Sequence, residues 1–219
     1  MITRAELMEL LATGFNRFMY DQFLSTEQIN SATTGSGVVT PRIMELEINT
    51  GIAANSTARC YYNTPWFNPV YSTAYFRFYL KEMSNVFAFI GFKENTAEPT
   101  FNMTQSHSGI MCYNGKMYFS TANGTNQKRV EITGIDMTKD MIYKIEYNKL
   151  STFPLPQIIP YFDTFRIITP DRIWTLKQTN ETSKPKDEVH YLLLYIKNNA
   201  TAEKYLRLKS ITYGEEYAD

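Results

Sequence analysis

Apolar residues along this chain alternate with polar ones. In Thr73–Lys81, Ala74, Phe76, Phe78 and Leu80 fall on one side, and Tyr75, Arg77, Tyr79 and Lys81 on the other. A period of two, rich in aromatic residues, predicts a strand with one buried face. Ile43–Ile48 reads the same way, with Met44, Leu46 and Ile48 opposed to Glu45 and Glu47. So does Ser56–Tyr62, with Ala58 and Cys60 inward. Val86–Phe92 (VFAFIGF) is apolar on both faces and predicts a central strand. Gly109–Tyr113 and Lys116–Ser120 flank Asn114-Gly115, a strong two-residue hairpin signal. That register sets Cys112 opposite Met117 and Ile110 opposite Phe119. Lys128–Ile132, Met141–Tyr147, Val189–Ile196 and Tyr205–Tyr213 continue the series. About a dozen strands separated by turn signals predict an all-β antiparallel sandwich.

Three stretches depart from this pattern. Leu7, Met8, Leu10, Leu11, Phe15, Phe18 and Met19 recur at three and four, which predicts a helix. Thr13-Gly14 breaks it, leaving a short helix near 3–12 and a lead-in strand near 15–23. The chain therefore divides into 1–24, the helix and lead-in strand, and 25–219, a single sandwich domain. The helix is a lid on the core or a docking element. Residues 151–163 (STFPLPQIIPYFD) hold three prolines among apolar residues, which excludes a central strand and predicts an apolar loop. Phe165–Ile168 and Ile173–Leu176 flank Thr169-Pro170-Asp171-Arg172, a turn with Pro at its second position. Gln178–Asp187 is polar and reads as exposed.

Charge narrows the partners. Lys+Arg and Asp+Glu are 22 each in 219 residues, so no phosphate-tracking surface is expected and nucleic acid is not a partner. No apolar run reaches the roughly 18 residues of a membrane span. Arg4, Glu6 and Glu9 interrupt the apolar residues of the N-terminus, which does not read as a signal peptide. Cys60 and Cys112 read as two buried thiols, a disulfide between them being the alternative. Asn55, Asn102, Asn123, Asn180 and Asn199 each begin an Asn-X-Ser/Thr sequon. They fit either a glycosylated, exposed protein or polar loops without sugar.

Candidate chemistry is sparse. Glu45 and Glu47 lie two apart on one strand face, as paired carboxylates do in some glycosidases. Position 49 is Asn, the constellation is incomplete, and a solvated strand face is expected; no catalytic residue is assigned. His107 and His190 lack a second ligand at metal spacing, and no metal or other cofactor is expected. Ser106-His107-Ser108 does not build a triad by adjacency, and Gly35-Ser36-Gly37 lacks the Lys and helix of a phosphate loop. Tyr61, Tyr62, Trp66, Phe67 and Tyr71 cluster around one loop. They suit a sugar-stacking edge, or else a core or interface anchor.

The runs INTGIAANSTARCYY (48–62), FNPVYSTAYFRFYL (67–80), FAFIGF (87–92), HSGIMCYNGKMYFSTANGT (107–125), ITGIDMTKDMIYKIEYN (132–148) and YIKNNATAEKYLRLKSITY (195–213) are similar to concanavalin A-like, laminin-G-like jelly-roll domains. The version they most resemble is found in structural proteins of phages and archaeal viruses. The resemblance spans about residues 40–213 and implies a jelly-roll sandwich. The Pro170-Asp171 turn, the 151–163 stretch and the N-terminal helix depart from it.

The resulting expectation is a non-enzymatic viral structural protein, a capsid, turret, spike or tail subunit on the virion surface. It would assemble with copies of itself and other virion proteins, and bind cell-surface glycan. Leu7, Leu10, Leu11, Phe15, Phe153, Leu155, Ile158, Ile159 and Tyr161 are the expected subunit contacts. The alternative is a carbohydrate-binding, lectin-like module; a jelly-roll glycoside hydrolase comes third.

Overall fold

The computed structural model describes residues 17–21, 28–42, 45–70, 72–147, 156–162, 176–177 and 183–215. They form β1 (Arg17–Asp21), β2 (Ile29–Thr34), β3 (Val38–Arg42), β4 (Glu45–Asn49), β5 (Thr57–Tyr62), β6 (Ser72–Leu80), β7 (Val86–Lys93), β8 (His107–Tyr113), β9 (Lys116–Ala122), β10 (Gln127–Ile132), β11 (Met141–Tyr147), β12 (Pro156–Phe162), β13 (Leu176–Lys177), β14 (Tyr191–Asn198) and β15 (Tyr205–Glu215). Sheet I runs β13-β12-β11-β6-β15-β4-β3, and sheet II runs β10-β9-β8-β7-β14-β5-β2. β1 also pairs with β15, beyond the stretch that pairs with β4. All pairs are antiparallel, and the all-β sandwich expected from the sequence is what forms.

The core lies between the inner faces. Sheet I contributes Leu46 and Ile48, Ala74, Phe76, Phe78 and Leu80, and Leu206, Leu208, Ile211 and Tyr213. Ala58, Cys60, Ala88, Ile90, Phe92, Ile110, Cys112, Phe119, Leu192 and Leu194 meet them from sheet II. Phe78 stacks on Tyr143 with ring centroids 4.4 Å apart. Each such side chain contributes about 1.5–3 kcal/mol by leaving water.

Two local devices set the registers. Asn114 (φ 49°) and Gly115 (φ 80°) both take the left-handed region, as a two-residue hairpin turn demands. Cys112 accordingly opposes Met117, and Ile110 opposes Phe119. In β15 the register shifts between Leu208 and Ser210. This bulge resets the alternation, so Ile211 and Tyr213 face the core as Leu206 and Leu208 do.

Every residue of β7 is buried because both faces of sheet II are covered there. On the outer face, Phe87, Phe89, Met111, Leu193 and Tyr195 form a second apolar cluster with Met103. Met103 belongs to a strap, residues 94–106, drawn across this face. Glu98 accepts hydrogen bonds from Thr57 (3.2 Å) and Tyr195 (3.3 Å), and Arg59 donates to the Thr96 carbonyl at 2.8 Å. Arg129 lies 3.8 Å over the Phe101 ring.

Several expectations change. Pro156–Phe162 is a strand between β11 and β13, where the prolines suggested a loop. Pro156 and Pro160 are four apart and turn their missing N–H positions to the same side, so the other side is free to pair. β13, on one flank, is only two residues long. The polar segment before β14 is not simply exposed: Ser183 is buried, and the Lys186 N–H donates to Ser106 Oγ at 2.9 Å. Cys60 and Cys112 are both free and buried. β5 and β8 are three strand positions apart, about 14 Å, twice the Cα separation of about 7 Å that a disulfide tolerates. The expectations of a short N-terminal helix and of a hairpin turn at Pro170 concern residues outside the described ones. The lead-in strand does form, as β1.

Candidate functional site

The outer face of sheet I concentrates the chemistry. Because strands alternate, the same segments that send Phe76, Phe78, Leu206 and Leu208 inward send Tyr75, Arg77, Tyr79, Tyr205, Arg207 and Lys209 outward. Arg207 is the hub. It stands directly opposite Glu47 on β4 and Tyr79 on β6. Its Nε donates to Glu47 Oε2 at 2.6 Å, with Glu45 Oε1 at 3.6 Å, and its Nη1 donates to the Tyr79 hydroxyl at 2.8 Å.

Glu47 is enclosed. Arg42 Nη2 donates to its Oε1 at 3.1 Å and Asn49 Nδ2 at 3.4 Å. Its side chain is only 5% exposed, which corrects the expectation of a solvated strand face. Burial works to raise this carboxyl. Hydrogen bonds from Arg42, Arg207 and Asn49, and the charge of Arg207, outweigh it and hold the group below the usual carboxylate range. A general acid for glycoside cleavage needs the opposite shift.

A second ion-pair centre adjoins the first. Arg77 grips Asp140 with two hydrogen bonds, Nε to Oδ1 at 3.2 Å and Nη2 to Oδ2 at 3.0 Å, and Lys209 also pairs with Asp140 Oδ2. Burial raises the Asp140 carboxyl, but Arg77 and Lys209 lower it further, so it too lies below its ordinary value. Lys81 pairs with Glu203 at 2.9 Å, and Glu203 also accepts from Asn49 at 3.0 Å. Cations stand near all three tyrosine rings. Arg207 is 4.6 Å and Lys81 5.5 Å from the Tyr205 centroid; Lys209 is 5.6 Å from Tyr79, and Lys144 5.7 Å from Tyr75. The result is a semi-exposed platform of rings and hydrogen-bonding groups, whose rotamers are held by charge pairs.

The aromatic residues singled out in the sequence are dispersed. Tyr62 and Phe67 are buried, and Trp66 packs edge-on against Phe67 at 5.3 Å. Phe67 also stacks on Phe92 and meets Tyr213 edge-on. These three side chains belong to the core at one end of the sandwich. Tyr61 is on the outer face of sheet II, against Tyr191 and Arg59. Tyr71 lies outside the described residues. So do Leu7, Leu10, Leu11, Phe15, Phe153 and Leu155, while Ile158, Ile159 and Tyr161 are on β12. Asn55, Asn102 and Asn199 are exposed; Asn123 caps its turn by accepting from the N–H groups of Thr125 and Asn126. Asn180 lies outside the described residues.

Both histidines are fully buried. His107 is held by the Gln105 carbonyl (2.7 Å) and Ser120 Oγ (2.7 Å), and His190 by the Glu188 carbonyl (2.7 Å) and Ser106 Oγ (2.8 Å). Neither joins a metal cluster: among the described residues no group of three or more His, Cys, Asp or Glu could hold an ion. Nor, among these residues, is any helix long and apolar enough to cross a membrane.

Sequence reasoning missed the platform. The signal was the outward set of each alternating strand, Tyr75-x-Arg77-x-Tyr79 and Tyr205-x-Arg207-x-Lys209. It reads as an ordinary polar face until β4, β15, β6 and β11 are known to be neighbours.

No family model matches the chain, and no curated protein does. Solved structures do. A seed lectin of Lotus tetragonolobus superposes with a TM-score of 0.63 at 8% identity, covering 93% of this chain and 100% of the lectin. An endo-acting O-glycanase structure from human gut microbiota, from work on mucin breakdown, gives 0.60 at 12%, covering 93% and 100%. The carbohydrate recognition domain of Emp46p gives 0.57 at 9%, covering 90% and 93%. At these identities the likeness is one of architecture, and the chain has the concanavalin A-like sandwich fold.

Proposed function

We propose that this protein is a non-enzymatic, lectin-like carbohydrate-binding module, and that the outer face of sheet I is its binding surface. The observation that carries this reading is the platform itself. Tyr75, Tyr79 and Tyr205 offer ring faces and hydroxyls, while Arg207, Asn49, Glu47 and Glu45 supply fixed donors and acceptors beside them. Sugars need this combination of an apolar plate and pre-set polar partners. The architecture is shared with a lectin and a carbohydrate recognition domain, which supports the choice. It is also shared with a glycanase, but a Glu47 carboxyl held ionised by two guanidiniums suits binding rather than proton donation.

The virion-subunit expectation has no counterpart among these likenesses, which favour the glycan reading. The test is a glycan array with the intact protein and with Tyr79→Ala and Tyr205→Ala. Selective binding that both variants weaken by about tenfold or more, with unchanged circular dichroism, supports the proposal. An array without hits above background overturns it.

A further inference from the structure

We propose that Lys93 is a carbon dioxide-binding residue, whose amine forms a carbamate held by Arg59 beneath the strap. The site is separate from the outer face of sheet I and does not depend on the glycan reading.

Lys93 ends β7 and turns to the outer face of sheet II, where no part of it reaches solvent. A lysine is rarely buried to this degree unless it is paired with an acid. The Lys93 Nζ instead donates to two neutral oxygens of Asn95, the side-chain Oδ1 and the backbone carbonyl, the latter at 3.4 Å. Glu94, next in the chain, pairs with Lys186 at 3.0 Å. Arg59 enters the same region from β5. Its Nη1 donates to the Thr96 carbonyl at 2.8 Å, while its Nε is buried and has no acceptor. The amine and the guanidinium thus end on consecutive residues of the strap, whose Cα atoms are about 3.8 Å apart. Among the described residues neither cation forms an ion pair with a carboxylate. Glu98, the other acid of this part of the strap, is bonded to Thr57 and Tyr195.

Burial lowers the Lys93 amine from 10.5 to about 8; the charge of Glu94 opposes the shift and that of Arg59 adds to it. The register partners of Lys93 are His107 on β8, which burial keeps neutral, and Tyr191 on β14. Half of the amine is therefore unprotonated at about pH 8, with its lone pair available.

The step balances. The Nζ lone pair attacks the carbon of CO2 and the N–C bond forms. One C=O electron pair moves onto oxygen, and the nitrogen releases a proton to water. Starting from the ammonium, two protons are released in all. The product keeps one N–H for Asn95 Oδ1, and its carboxylate oxygens can accept from Arg59 Nε. One modification thus removes a buried ammonium and satisfies a buried donor. CO2 is small and uncharged, so it reaches a covered amine that larger electrophiles do not. The carbamate would tie β7 to β5 under the strap.

The experiment is carbon-13 NMR of the intact protein in carbon-13 bicarbonate at about pH 8. The unaltered protein should show a carbamate carbon resonance, distinct from bicarbonate and dissolved CO2, that Lys93→Met abolishes. Arg59→Gln should raise the bicarbonate needed for half-modification by about tenfold, the scale of a lost charge-assisted hydrogen bond. The thermal midpoint should rise with bicarbonate, at fixed pH and ionic strength, in the unaltered protein and not in Lys93→Met. If Lys93→Met fails to fold, crystals of the unaltered protein grown in bicarbonate decide: a carboxylate on Lys93 Nζ supports the proposal and a bare amine overturns it. Absence of a carbamate resonance overturns it. So does a resonance that persists in Lys93→Met, which belongs to another amine.

Discussion

Ser106 donates its hydroxyl proton to His190 Nε2 across 2.8 Å, joining the end of the strap to the start of β14. The roles are fixed by accounting. His190 Nδ1 faces the Glu188 carbonyl, which can only accept, so Nδ1 carries the proton and Nε2 is left to accept. Ser106 Oγ in turn accepts from the Lys186 N–H. His107 repeats the arrangement with the Gln105 carbonyl and Ser120, whose oxygen accepts from Gln127 at 3.0 Å. In both cases the carbonyl belongs to the residue two before the histidine. A hydroxyl on an imidazole resembles a nucleophile, yet both pairs are fully buried and serve as structural pins.

These pins predict acid sensitivity. Burial pushes His107 down from 6.5 to about 3, opposed by the Gln105 hydrogen bond and helped by the charge of Lys93; burial also lowers His190. The unfolded chain therefore takes up these protons first. Stability is fully present above about pH 6.5 and is lost as pH falls toward 3, by about 1.4 kcal/mol per pH unit for His107 alone. Urea midpoints should drop steadily between pH 6.5 and 5, and His107→Gln should flatten that slope.

Glu47→Gln should cost about 1–2 kcal/mol in chemical denaturation, because it leaves Arg42 and Arg207 facing a neutral group. Solvent screening at Arg42, whose side chain is 46% exposed, keeps the cost at this level. Glu45→Gln, which loses only a 3.6 Å contact with Arg207, should change stability by less than about 0.5 kcal/mol.

Gly109→Ala should destabilise by about 1–3 kcal/mol. A Cβ there would lie 2.6 Å from the Phe89 ring and 2.7 Å from the Ile90 carbonyl oxygen. The ring can swing aside, but the carbonyl is part of the β7–β8 pairing and cannot. Thermal unfolding of the single variant measures it.

Both thiols should be silent to Ellman's reagent in the native protein and react fully in denaturant. Burial raises Cys60 far above the ordinary thiol range and Cys112 to about 12, so neither is a thiolate at neutral pH. Intact mass should show two free thiols under non-reducing conditions.

Alternation carried the fold because each strand buries one face, and a period of two survives any loop between strands. The strand read as Thr73–Lys81 lies within a residue of the observed Ser72–Leu80 at each end, and the register of the Asn114-Gly115 hairpin was readable to the residue. Pro156–Phe162 was not, because the proline rule speaks of missing donors and not of the side to which they point. The candidate site was legible only in halves. Tyr79 and Arg207 are 128 positions apart, and Glu47 and Arg207 160 apart, so no local pattern announces their meeting. The cluster at Tyr61–Phe67 looked like a site because it is dense in sequence. Neighbouring positions on a strand point to opposite faces, and its density dissolves in three dimensions.

The places of β14 and β15 have a consequence for synthesis on the ribosome. β14 lies between β7 and β5, and β15 between β6 and β4, so each sheet is closed at its middle by a strand translated after both its neighbours. The β7–β8–β9–β10 meander can zip up as it emerges. β4, β5, β6 and β7 must each wait with one edge unpaired until residues 191–215 arrive. A pause or truncation before that point leaves a nascent chain with each sheet split in two and four open edges, on β4, β5, β6 and β7, the form in which it is most exposed to chaperones and to its own copies.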